Sequence, residues 1–192
     1  MTFGNVHCEV SLVNYVYIAA SLDGFIATKD GGLDWLNEIP NPDQTDYRYA
    51  EFNSGIDAIV MGRNTFEKVL TFGFWPYDKP VFVLSHTLES VPDDIVGKAE
   101  IVKGDLRNLL DKLKKRGLQN LYIDGGRVIQ SFLEEDLIDE MIITRVPILL
   151  GEGIPLFGKI ENSLKFSLKK TEGFNETLVK NHYIRVREKN QS

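Results

Sequence analysis

Ala58-Ile59-Val60-Met61-Gly62-Arg63-Asn64-Thr65 carries four consecutive apolar residues through a glycine into polar groups suited to a helix start. A run this short, with β-branched members and no alternation, reads as a strand buried on both faces, and such a strand needs packed layers on either side. Working outward, Tyr15-Val16-Tyr17-Ile18-Ala19-Ala20, Val81-Phe82-Val83-Leu84, Leu121-Tyr122-Ile123 and Met141-Ile142-Ile143 have the same character, and Glu100-Ile101-Val102 is a weaker instance. Between them the spacing predicts helices from about Thr65 to Leu70, from Asp46 to Phe52, and on the apolar face of Val128, Ile129, Phe132 and Leu133. The clearest helix has Asp105 as N-cap, Leu106, Leu109, Leu110 and Leu113 as its stripe, and Gly117 at the left-handed stop. Leu164 to Leu168 and His182 to Arg187 alternate as exposed strands do, with a turn expected at Gly173-Phe174-Asn175. The expectation is an α/β protein of three layers, α/β/α, with a mixed, mostly parallel sheet ending in a C-terminal antiparallel hairpin.

With 192 residues the chain suits a single domain, placed at 14–189, with 1–13 an N-terminal extension. The net charge of −6 opposes binding to nucleic acid or an anionic membrane surface. No stretch approaches the roughly 18 apolar residues of a membrane span. Cys8 is the only cysteine, which excludes an intrachain disulfide or a zinc-thiolate cluster and points to a reducing, cytoplasmic setting. His7 and His182 lack partners at metal-ligand spacing, so no metal is expected. GxSxG, HExxH, P-loop and GxGxxG patterns are all missing, so dinucleotide binding, if present, belongs to a different fold.

Three strand ends have unusual composition: Ser21-Leu22-Asp23-Gly24, Gly62-Arg63-Asn64-Thr65 and Asp124-Gly125-Gly126-Arg127. In open sheets ligands gather beyond the carboxyl ends of the strands, where glycine admits close approach and helix N-termini offer N–H groups to phosphate. Gly62 and the Gly125-Gly126 pair suit that role, although a tight strand-to-helix turn selects the same residues. Ser85-His86-Thr87 either meets an adenosine ribose or simply ends a strand in water.

These motifs, in this order, resemble the dihydrofolate reductase superfamily. The landmarks are Tyr17-Ile18-Ala19-Ala20-Ser21-Leu22-Asp23-Gly24-Phe25-Ile26-Ala27, Val60-Met61-Gly62-Arg63-Asn64-Thr65-Phe66 and Ile123-Asp124-Gly125-Gly126-Arg127-Val128-Ile129. Leu137-Ile138-Asp139-Glu140 and the segment from Pro147 to Phe157 resemble the reductase domain of the bifunctional riboflavin-pathway enzyme. The resemblance implies an NADPH-dependent reductase of a pterin-like or aminopyrimidine substrate, working as a homodimer. It implies cofactor contacts at Ala20, Ile26, Gly62, Arg63, Asn64, Thr65, Leu84, Ser85, His86, Gly125, Gly126, Arg127 and Val128, with a cis Gly125–Gly126 bond. Substrate contacts are expected at Ala19, Asp23, Trp35 and Tyr49, and Gly24, Gly31 and Gly32 predict that the segment from Asp23 to Trp35 is a mobile lid.

Asp46 precedes Met61 by 15 positions (61 − 46), where dihydrofolate reductases keep the carboxylate that holds the substrate ring. It is expected to be either that catalytic carboxylate or a helix N-cap. Two departures weaken a folate reading: Lys79 stands where those enzymes use arginine to grip a carboxylate, and the proline-tryptophan pair is missing. A weak dihydrofolate reductase and a non-catalytic dimeric nucleotide-binding protein remain the alternatives.

Overall fold

The computed structural model describes residues 12–187. Eight strands form one sheet in the order β5-β4-β3-β6-β1-β7-β10-β9. The central strand, β1 (Val13–Ser21), lies parallel between β6 (Asn120–Asp124) and β7 (Glu140–Val146). Beyond β6 follow β3 (Ala58–Gly62), β4 (Val81–Leu84) and β5 (Ala99–Val102), all parallel. On the other side β10 (Leu178–Arg185) runs antiparallel to β7, and β9 (Phe166–Phe174) closes the edge antiparallel to β10. The expected mixed sheet with its terminal antiparallel hairpin is the observed one.

Alternation within the buried strands sorts side chains into two layers. Ala58 and Val60 of β3, Phe82 of β4, and Leu121 and Ile123 of β6 join one cluster with the apolar faces of α4 (Leu106–Lys115) and α5 (Gly126–Glu134). Ile59, Met61, Val81, Val83 and Tyr122 point the other way, against Phe66 of α3 (Arg63–Leu70). Tyr49 and Phe52 of α2 (Tyr49–Ser54) cover that second layer. Continuous apolar runs are thus what a strand with helices on both sides requires.

Several boundaries differ from the sequence reading. The Asp46–Phe52 helix begins only at Tyr49, because Tyr47 and Arg48 hold left-handed φ values of 53° and 65°. The hairpin turn falls on Asn175 and Glu176, with φ of 51° and 53°, and the Thr177 amide closes it on the Phe174 carbonyl at 3.0 Å. Gly173 consequently belongs to β9. Phe25–Ala27 (β2) and Ile154–Pro155 (β8) pair as a small second sheet, too short to show any alternation. A short helix, α1 (Asp34–Asn37), follows β2. Val13 opens β1 instead of ending an extension, and residues 1–11, with His7 and Cys8, lie outside the described residues, as do 188 and 189 at the expected domain end. No helix among the described residues is long and apolar enough to cross a membrane.

Candidate active site

The carboxyl ends of β3, β4 and β6 open on a cleft of about 1510 Å³. Its walls bring together Ala19, Ile26, Tyr49, Gly62 to Thr65, Leu84 to Thr87, and Asp124 to Val128. Of the residues expected from the sequence, Ala19, Ile26, Tyr49, Gly62, Arg63, Asn64, Thr65, Leu84, Ser85, His86, Gly125, Gly126, Arg127 and Val128 therefore share one concavity.

Two helices begin here without side-chain caps. Gly62 precedes α3 and Gly125 precedes α5, and neither helix has a side chain bonded to its first-turn amides. α4 differs, because Asp105 accepts from the Asn108 N–H at 2.8 Å. Uncapped first turns leave N–H groups and positive dipole ends for an anionic ligand. The glycines also fit the close packing: a methyl group on Gly125 would lie 2.1 Å from Thr65 Oγ1, and one on Gly126 would lie 2.9 Å from Ile26 Cδ1. Gly125 turns the chain with φ of 91°. No cis peptide bond occurs among the described residues, so the expected cis Gly125–Gly126 bond is corrected to a trans one, the reversal coming from that positive φ.

Beside α3, Arg63 donates to Thr87 Oγ1 at 3.0 Å and pairs with Glu67 at 3.4 Å, leaving an exposed guanidinium at the end of β4. Ser85 Oγ accepts from the Thr87 and Leu88 amides at 3.3 and 2.9 Å, so its hydroxyl shapes the turn that carries His86 into the cleft.

Asp124, at the end of β6, was not singled out from the sequence as a site residue, and it lines the cleft. Burial raises its carboxyl from the ordinary range to about 6, while the Tyr122 hydroxyl donates to the Tyr17 carbonyl at 2.9 Å. Tyr17, Tyr49, Tyr77 and Tyr122 line the same part of the cleft, and burial pushes all four phenols up. The negative charge of Asp124 adds to the rise at Tyr49, Tyr77 and Tyr122. Tyr17 and Tyr49 meet edge to face at 5.7 Å. The arrangement offers flat aromatic walls around one carboxyl that gives up its proton near neutrality.

Four expected site residues, Ala20, Asp23, Trp35 and Asp46, are placed elsewhere. Ala20 is sealed in the core. Asp23 accepts from Ser21 Oγ at 2.6 Å and from the Gly151 amide at 2.7 Å, tying the loop after β7 to the end of β1. Trp35 is 5% exposed and packs with Val146 and Leu178, while its neighbours Leu33 and Leu36 face the cleft. Asp46 accepts from the Arg48 and Ala50 amides at 2.9 Å each; it is exposed and outside the cleft wall, and these bonds hold its carboxyl below the usual range. Lys79 is not part of the wall either.

The fold matches several solved structures. A dihydrofolate reductase from Enterococcus faecalis, complexed with NADP(H), superposes with a TM-score of 0.64 at 18% identity, over 91% of this chain and 96% of that one. A Shewanella sp. PV-4 protein described as a riboflavin biosynthesis protein is 51% identical, with a TM-score of 0.89 over 92% of this chain and all of that one. Among curated relatives, the uncharacterized protein YwjB of Bacillus subtilis is 39% identical over 174 residues, 89% of this chain and 97% of its own length. The riboflavin biosynthesis protein RibD of Aquifex aeolicus is 29% identical over 84% of this chain, which spans 54% of that protein. A model of the RibD C-terminal domain matches residues 15–180, from the centre of the sheet to its terminal hairpin, and the chain therefore belongs to that family.

Proposed function

We propose that the chain is an NADPH-dependent reductase acting on a C=O or C=N bond of an aminopyrimidine-like substrate, of the type met in 5-amino-6-(5-phosphoribosylamino)uracil reduction. The observation that carries this reading is the convergence of two uncapped helix N-termini, those of α3 and α5, on one cleft that also holds a tyrosine-walled carboxyl. First-turn amides at Arg63 to Thr65 and around Gly126 suit a pyrophosphate, and the Arg63 guanidinium beside Thr87 suits a 2′-phosphate. When bound, NADPH supplies the hydride. Tyr17, Tyr49 and Tyr77 hold a flat ring by stacking and exclude water, and Asp124 bonds its N–H edge and holds a proton for the reduced centre. Among relatives, a Thermotoga maritima protein that carries this uracil reductase activity in its name shares the fold at a TM-score of 0.70 and 17% identity.

The reading includes a homodimer in the cytoplasm, for which the exposed Leu168 and Val179 of the terminal hairpin provide apolar surface. NADPH and NADH titrations on the full chain test it: NADPH binds more tightly, and Arg63→Ala narrows the preference by about tenfold. Equal affinities in the unmodified protein reject the assignment. NADPH oxidation with the ribosylaminouracil phosphate against dihydrofolate separates the uracil reductase from a weak dihydrofolate reductase. Absence of turnover with both leaves a nucleotide-binding protein, and sedimentation equilibrium checks the dimer.

A further inference from the structure

Lys180 occupies an inward position of β10 beside Leu178, where the strand's alternation calls for an apolar residue, and it is 4% exposed. Its ammonium lies 4.8 Å from the centre of the Phe174 ring and 5.3 Å from that of Tyr17. Among the described residues, no carboxylate lies within bonding distance of it. The nearest acidic partner by charge, Glu172, is engaged by Arg48 at 2.9 Å and by Lys170 at 3.0 Å. The Lys180 ammonium instead donates to the Tyr47 carbonyl at 2.5 Å and to the Tyr17 hydroxyl at 3.4 Å. The Tyr17 hydroxyl itself donates to the same Tyr47 carbonyl at 2.7 Å.

That carbonyl belongs to a contorted stretch of backbone. Gln44, Tyr47 and Arg48 are all non-glycine residues with positive φ, of 46°, 53° and 65°. Such residues persist only where their surroundings over-determine them. Here Asp46 holds the amides of Arg48 and Ala50 from one side, and Lys180 with Tyr17 holds the Tyr47 carbonyl from the other. The residue that leaves this turn is Tyr49, which starts α2, lines the cleft and meets the Tyr17 ring.

We infer that Lys180 is a positioning residue for the substrate end of the cleft: through the Tyr47 carbonyl it locks the left-handed turn that sets the Tyr49 and Tyr17 rings. A buried ammonium without a carboxylate is expensive to keep, and a methionine of similar length would fill the space without that cost. What the ammonium adds is a donor that a methionine lacks, aimed at the Tyr47 carbonyl of the turn. The inference rests on the reductase reading only for its kinetic arm.

Lys180→Met in the full chain is the test. Hydrogen exchange of peptides covering 44–54 is expected to quicken about tenfold, while peptides covering β3 and β6 stay unchanged. NADPH affinity stays the same, and with the ribosylaminouracil phosphate KM rises about tenfold with kcat within about twofold. Unchanged exchange at 44–54, or exchange that quickens equally throughout the sheet, overturns the inference. If the unmodified protein does not turn over that substrate, the substrate assignment fails and the exchange result alone decides the role of Lys180. Where Lys180→Met folds too poorly to measure, Tyr17→Phe removes the other donor to the same carbonyl and must loosen the same peptides. Unaltered protection in that variant overturns the inference as well.

Discussion

Asp124 is where ionisation, stability and the proposed turnover meet in one side chain. Its carboxyl titrates at about 6 in the folded protein, above the 3.8 of an ordinary aspartate, because burial disfavours the charge. A raised carboxyl pKa means that the folded state binds its proton more tightly than the unfolded chain does. The associated stability is complete below about pH 4, is lost as pH rises through about 6, and stays lost above it. Asp124→Asn is therefore expected to be more stable than the unmodified protein at pH 8, by on the order of 1–2 kcal/mol after allowance for partial exposure, and equal to it near pH 4. In the same variant turnover is expected to fall, and the loss of rate above about pH 6 predicted for the unmodified protein is expected to disappear. Thermal melts and pH–rate profiles check both halves, and a variant that is equally stable at the two pH values contradicts the burial argument. Asp124 could not be weighed from the sequence because its meaning depends on Tyr49 and Tyr77, which arrive from α2 and from the chain ahead of β4. Asp46 showed the opposite problem: a carboxylate ahead of a helix satisfies the spacing of a ligand and of a turn equally well, and its bonds to two amides place it in the turn.

At the level of elements, legibility followed how local each determinant is. α4 could be read because its start, stripe and stop all lie within it. Asp105 caps it, four leucines face the core, and Gly117 at φ of 80° closes it, with its amide on the Lys114 carbonyl at 3.0 Å and that of Leu118 on the Leu113 carbonyl at 3.1 Å. α2 and β9 were misplaced because their limits are set elsewhere. Lys180 and Tyr17 grip the turn before α2, and β9 takes its length from β10, whose pairing slips between His182 and Tyr183. The β6–α5 turn gives a test at this scale. In Gly125→Ala the new methyl meets Thr65 Oγ1 and the backbone keeps a φ of 91°, so a loss of about 2–4 kcal/mol is expected. Adding Thr65→Ala returns the steric part and leaves the backbone part, a partial recovery measurable by denaturant titration. Full recovery would show that the φ angle carries no cost there.

Across the whole molecule, the three-layer architecture was legible from the runs of apolar strands, whereas the strand order was not. Nothing local tells β1 that its neighbours will be β6 and β7 instead of β3. The register pairs Tyr15 with Tyr122 on one side and with Glu140 on the other, so β1 is enclosed only by strands that come much later in the chain. For a chain emerging from the ribosome this order is a schedule: β1 leaves the exit tunnel early and waits, edges bare, until more than 100 further residues are translated. Until residue 146 is outside, β7 cannot close over it, and a strand of nine residues keeps an unpaired edge. Ribosome-bound chains stalled before that point are expected to be digested by protease at the rate of unfolded polypeptide, with protection arriving abruptly once β7 has emerged. Gradual protection from β3 onward would mean that the half-sheet folds without its centre.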